Sequence, residues 1–189
     1  MTAADDSRAL APLYALLARI SLLELDRELL GLLREPGLIE VLDKVEPGCR
    51  ADVMREWSDR DLEAAAEEYC ALFLLPDGAV PRASAWIPGE QEMVGSGVDE
   101  LVDRVLEALG VTPDGVLARV PRDHLGFLLH LAAVALDDDD AAARSVARGL
   151  IDQALAPWVG RWTDAVLARA EQPVYRAHAR LLAALLSPD

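Results

Sequence analysis

Leu125-Gly-Phe-Leu-Leu-His-Leu-Ala-Ala-Val-Ala-Leu136 is the longest apolar run in the chain, interrupted only by Gly126 and His130. At 12 residues it falls short of the roughly 20 needed to cross a bilayer, so it reads as a buried helix. His124, Phe127, Leu128, Leu131 and Ala135 fall on one stripe, which turns His124 toward the core or a groove. Pro121 suits a first helical position, and that start places Asp123 and His124 in the first turn.

Helical spacing continues outward from this run, and no strand alternation occurs. Downstream, Asp137–Asp140 read as a turn and N-cap region, followed by helices near Ala141–Leu155, Trp158–Ala170 and Val174–Leu186. Upstream, Val98–Leu109 is amphipathic and ends at Gly110, a good C-cap residue. Leu10, Leu13, Tyr14 and Leu17 mark one face of an early helix. Ser21-Leu-Leu-Glu24 has the capping-box pattern for a second, ending near Glu35-Pro36-Gly37. Short helices follow around Leu38–Val45 and Ala51–Trp57, and Ser58 caps another that runs to about Leu75. Residues 76–97 hold Pro76, Gly78, Pro81, Pro88, Gly89, Gly95 and Gly97 and read as a long loop. The expected fold is all-α: one helical-bundle domain over 1–189, with about eight to ten helices and a long loop at 76–97.

Composition narrows the function. The chain has 189 residues, is 52% hydrophobic and carries a formal charge of −15. Residues 1–100 hold 21 acids against 9 bases, a net of −12. Such a surface argues against nucleic acid or an anionic membrane as the main partner, since both are polyanions. Lys44 is the only lysine, which leaves none for a phosphate loop or Schiff base. Cys49 and Cys70 form no C-x-x-C pair and fit a reducing compartment. Asp5 and Asp6 stand where a signal peptide needs basic residues. The expected location is therefore cytoplasmic, without membrane insertion.

No catalytic, metal or cofactor pattern emerges. There is no Walker-type motif, and Gly95-Ser-Gly97 follows no strand, so it reads as flexible loop. His124, His130 and His178 share no metal-ligand spacing, and Asp137–Asp140 lack the Gly and Glu of a calcium loop. Glu67 and Glu68 are adjacent and point to different faces, so they form no acid–base dyad. No G-x-S-x-G elbow occurs. The chain is expected to be no enzyme and to need no cofactor.

Pro121-Arg-Asp-His124 ahead of an apolar helix resembles the P-x-D-H signature of the TorD/DmsD/NarJ-like chaperones. Leu13-Tyr-Ala-Leu-Leu17 is similar to that family's first helix. Glu68-Tyr-Cys-Ala-Leu-Phe73 is similar to its E-Y-x-x-L-F segment. Pro81-Arg-Ala-Ser84 with Trp86 resembles its P-x-E-S-x-[YW] loop, and Trp158, Trp162 and Tyr175 fit its C-terminal pattern. Ala83 and Val120 depart from it, each standing where relatives often carry Glu.

The resemblance implies a cytoplasmic maturation factor. It would bind the twin-arginine-type N-terminal signal peptide of the apo form of a molybdenum-dependent oxidoreductase subunit and assist cofactor loading before export. A basic, partly apolar peptide needs a groove with apolar walls and carboxylates. Trp86, Tyr69, Phe73 and Phe127 are the candidate walls, Asp123 and the acidic 35–107 region the electrostatic partners, and Pro81, Ser84 and His124 complete the expected site. Tyr69 and Phe73 at helical spacing equally fit a core, Trp86 equally fits a packing anchor, and Ser84 a turn. A permanent helical accessory subunit of a redox complex and a nucleotide-binding enzyme are the alternative classes. The chain would be a monomer or a helix-swapped dimer.

Overall fold

A computed structural model describes residues 8–87 and 97–186. Among the described residues all regular structure is helical, apart from one isolated antiparallel bridge between Arg82 and His124. The helices are α1 (Ala11–Leu22), α2 (Arg27–Leu33), α3 (Pro36–Val45), α4 (Cys49–Met54), α5 (Asp59–Tyr69), α6 (Ala83–Trp86), α7 (Gly97–Leu109), α8 (Leu125–Asp137), α9 (Ala141–Leu150), α10 (Ala156–Leu167) and α11 (Pro173–Leu186). π-helical turns at Cys70–Leu74 and Ile151–Leu155 extend α5 and join α9 to α10. No described helix is long and apolar enough to cross a membrane.

Several helix ends follow the sequence. Ser58 and Asp61 form a reciprocal capping box at α5. Asp140 caps α9 by accepting from the Ala142 N–H. Gly110 ends α7 at φ +62, with the Val111 N–H reaching back to the Leu106 carbonyl.

Four expectations are corrected. Ser21 starts no helix: its hydroxyl donates to the Leu17 carbonyl inside α1, and Asp26 caps α2 through the Leu29 N–H instead. Pro121 lies in the turn before α8, and His124 is the N-cap itself, with Nδ1 accepting from the Gly126 N–H. The two helices expected around residues 141–170 are one uninterrupted run. Its wide π turn comes just before Pro157, whose ring would clash with a carbonyl four residues back in a regular helix. The expected 76–97 loop contains α6 and ends in α7; its residues 88–96, with Pro88, Gly89 and Gly95, lie outside the described residues.

Contacts group the chain into two units, Met1–Leu22 with Pro81–Trp158 and Leu23–Val80 with Val159–Asp189. The first is built on α8, where ten of 13 residues are buried. α1 and α9 pack along it. A Cβ on Gly126 would lie 2.5 Å from Leu22 Cγ and 3.1 Å from the Ala18 carbonyl oxygen, so glycine sets how closely α1 and α8 approach.

The second unit is centred on aromatic rings. Phe73 stacks on Trp162 at 5.8 Å between centroids and meets Tyr69 and Tyr175 edge-on at 5.1 and 5.7 Å. The Tyr175 hydroxyl donates to the Ala65 carbonyl, and Trp162 Nε1 donates to that of Ala79. The buried Glu46 carboxylate pairs with Arg176 at 3.0 Å and Arg180 at 2.6 Å, tying α11 to the end of α3.

Candidate functional site

The sequence before α8 folds back as a turn, fixed on one side by an Arg122–Asp103 ion pair to α7. On the other side it pairs with the segment Pro81–Trp86, which forms a strap across the helix start. Backbone bonds run from the Leu125 N–H to the Pro81 carbonyl at 2.8 Å and from the Ala83 N–H to the Asp123 carbonyl at 3.0 Å. Asp123 adds side-chain bonds: Oδ1 accepts from Arg82 Nε at 3.0 Å, and Oδ2 from the Ser84 N–H at 3.1 Å. Its side chain is only 11% exposed. Burial pushes its carboxyl pKa up, but the Ser84 hydroxyl and N–H together with Arg82 outweigh burial and hold it below the usual carboxylate range.

His124 is half-buried beside this carboxylate, and burial pulls its pKa down to about 4, with Asp123 opposing and Arg82 assisting the shift. The ring is neutral at physiological pH. With Nδ1 accepting from Gly126, the proton resides on Nε2.

Only His130, Val134 and Asp137 on α8 are not buried, and their spacing makes one open stripe. Two cavities flank it. One, of about 210 Å³, is lined by Phe127, His130, Leu131 and Val134 together with Leu106, Val111 and Leu117. The other, of about 260 Å³, lies between this stripe and the start of α1 at Ala11, Pro12 and Ala15. Asp114 lines the first cavity and Asp137 the second. Burial lowers the His130 pKa, with Asp114 opposing it.

Six of the eight expected site residues therefore belong to the first unit. Ser84 bonds Asp123 directly, Pro81 holds the helix start through the Leu125 N–H, and His124 bridges to Arg82 of the strap. Trp86 is half-buried at the end of the strap, and Phe127 is a buried cavity wall. Tyr69 and Phe73 are buried in the ring core of the second unit. Sequence reasoning missed Arg82, which neutralises Asp123, and the apolar 111–117 segment that walls the cavity. Val111, Pro113, Val116 and Leu117 in a stretch without helical spacing were the available signal. Among the described residues no group of His, Cys, Asp and Glu could hold a metal ion.

The model of the nitrate reductase delta subunit family matches residues 31–164, more than half of the chain. The protein belongs to this family. Its members are the NarJ/TorD-type chaperones of molybdoenzyme maturation, which are not enzymes, and the motif resemblance in the sequence pointed to the same group. Chaperone protein YcdY of Escherichia coli (strain K12) is 35% identical over 123 residues, covering 64% of this chain. The matched stretch spans 60% of that relative's length. In the matched family region lie the strap, the α8 start and both motifs, Glu68–Phe73 and Pro121–His124.

Proposed function

We propose that this family member is a cytoplasmic chaperone that holds the N-terminal leader of a molybdenum-dependent oxidoreductase subunit while the apo subunit receives its cofactor, before export. The observation that carries this reading is the built edge at the start of α8. A strap held by four hydrogen bonds fixes the start of a mostly buried helix, and further along that helix Phe127, His130, Leu131 and Val134 wall a largely apolar cavity. Six of the expected site residues contribute to this one unit.

The chemistry divides the labour. The apolar stretch of a leader fills the space against Phe127, Leu131 and Val134 and supplies most of the affinity. The negative field of the chain steers the basic end, and Asp114, which lines the same cavity, receives it. Asp123 is a positioning residue here. Both its oxygens are engaged by Arg82 and Ser84, so it fixes the strap.

Calorimetric titration with a twin-arginine leader tests the reading, alongside a Lys-Lys variant and a variant with its apolar stretch replaced by Ser and Gly. Saturable binding is expected, with the apolar replacement more damaging than Arg to Lys. No saturable binding of any candidate leader overturns the proposal. A Lys-Lys loss larger than the apolar loss overturns the assignment of affinity to the cavity.

A further inference from the structure

We propose that α5 and its π-helical extension form a second docking surface, a shelf for a basic, aliphatic segment of a protein partner. This surface lies in the second unit and stands independently of the leader site. Glu63, Ala66, Glu67, Cys70, Ala71 and Leu75 line an open depression of about 440 Å³. Leu75 at its wall and the adjacent Leu74 are 50% and 60% exposed, and Leu74 is the most exposed large hydrophobic side chain among the described residues.

The exposure is not that of a loose end. The Leu75 N–H donates to the Cys70 carbonyl at 3.1 Å, the Gly78 N–H to that of Leu75 at 3.0 Å, and the Ala79 N–H to that of Leu72 at 2.5 Å. Trp162 Nε1 then clamps the Ala79 carbonyl at 2.8 Å. Gly78 is packed so tightly that a Cβ would collide with the carbonyl oxygens of Leu72 and Ala71. The turn is thus over-determined, and it holds two leucines out in solvent on a rigid base. Preorganised apolar surface of this kind binds with little ordering entropy to lose.

Charge identifies the occupant. Glu63 and Glu67 are four apart on one helix face, a like-charge pair that weakens an isolated helix. Neither meets a cation or a hydrogen-bond donor among the described residues. Glu46, Asp52 and Asp59 of this unit have cations, whereas Glu63 and Glu67, like Glu28, Glu35, Glu40 and Glu56, have none among the described residues. What sets the pair apart is its place on the wall of a depression that ends in exposed leucine. Two guanidinium or ammonium groups one helical turn apart, beside Leu or Ile side chains, would complement the carboxylates and cover the leucines together.

The test uses the full chain and a fluorescein-labelled 14-residue helical peptide with Arg at two positions four apart and Leu at the adjoining ones. Anisotropy titration should give saturable binding that weakens at least tenfold in the double variant Glu63→Gln, Glu67→Gln. Leu74→Ser with Leu75→Ser leaves the net charge unaltered and should weaken binding to a similar degree. A control with Glu100→Gln and Glu107→Gln on α7 removes the same charge and should bind as the parent does. Equal loss in that control would reduce the effect to general attraction by an acidic chain and overturn the proposal. Unchanged binding by the leucine variant would overturn it as well. A parent dimer that this variant dissociates in sedimentation, without any change in peptide binding, would assign the shelf to a second copy and also reject the proposal.

Discussion

Glu68–Phe73 and Pro121–His124 are the two most family-like stretches of the chain, and they serve different ends. In the first, the Glu68 carboxylate accepts from the Glu171 and Gln172 N–H groups at 2.7 and 3.0 Å, while the Tyr69 and Phe73 rings are sealed in the aromatic cluster. In the second, Asp123 is bonded just as fully, yet what it holds is a surface strap at the start of the helix whose later residues wall a cavity. Both motifs are internally satisfied. The difference lies in what each one fixes, a core or an edge, and substitutions should separate the two.

The largest effect is expected at the core. Phe73→Ala removes a ring touching three others and should cost about 3–5 kcal/mol of stability. Urea unfolding checks the loss, and leader affinity measured under folding conditions should stay within about twofold of the parent. Full stability with abolished leader binding would move Phe73 back to the groove and erase the contrast. Asp123→Asn comes next, at about 2 kcal/mol, because it removes charge-assisted bonds to Arg82 and Ser84. Unlike Phe73→Ala, it should also weaken leader binding, since the strap is part of the edge.

The two neighbours at the α8 start should also separate by pH. A histidine whose folded pKa is about 4, against about 6.5 unfolded, gives stability that is complete above pH 6.5 and is lost as pH falls toward 4. Asp123 has a depressed folded pKa, so its contribution is complete above about pH 4 and is lost only below that. His124→Asn keeps an acceptor for the Gly126 N–H but cannot protonate. Its stability should match the parent near pH 7 and exceed it by about 1–2 kcal/mol near pH 5. His130, also shifted down, retains the remaining slope in the same window. Identical acid profiles for parent and variant would show that His124 is not the buried neutral cap described above.

The all-helical architecture was legible because α7 and α11 bear their periodicity, and α8 its long apolar run, in the sequence itself. The Ser58 box and the Gly110 cap were readable for the same reason, being local hydrogen-bond geometry. Ser21 misled because a serine in the last turn of a helix and a serine before the next one look alike until the hydroxyl's partner is known. At the site, Asp123 and His124 were identifiable as residues, but Arg82 lies 41 positions from Asp123, and its ion pair depends on how the strap folds back. Tyr69 and Phe73 have the same spacing whether they wall a groove or fill a core. Only the rings of α10 and α11 around them decide it.

The smallest predicted effect concerns the open stripe of α8. Val134 lines both cavities beside His130, and Val134→Thr preserves the side chain's shape while replacing one methyl by a hydroxyl. The hydroxyl can donate to the His130 carbonyl four residues back or to water, so the stability change should stay below about 1 kcal/mol. A leader that packs its apolar stretch there loses favourable burial, and its affinity should fall about threefold, close to 0.7 kcal/mol. Calorimetry of parent and variant with the same peptide reads that difference directly. The effect is small, but a ring-core substitution should move stability and leave affinity, whereas Val134→Thr should move affinity and leave stability. Unchanged affinity in a folded Val134→Thr variant would shift the leader off this stripe and leave the strap alone to hold it.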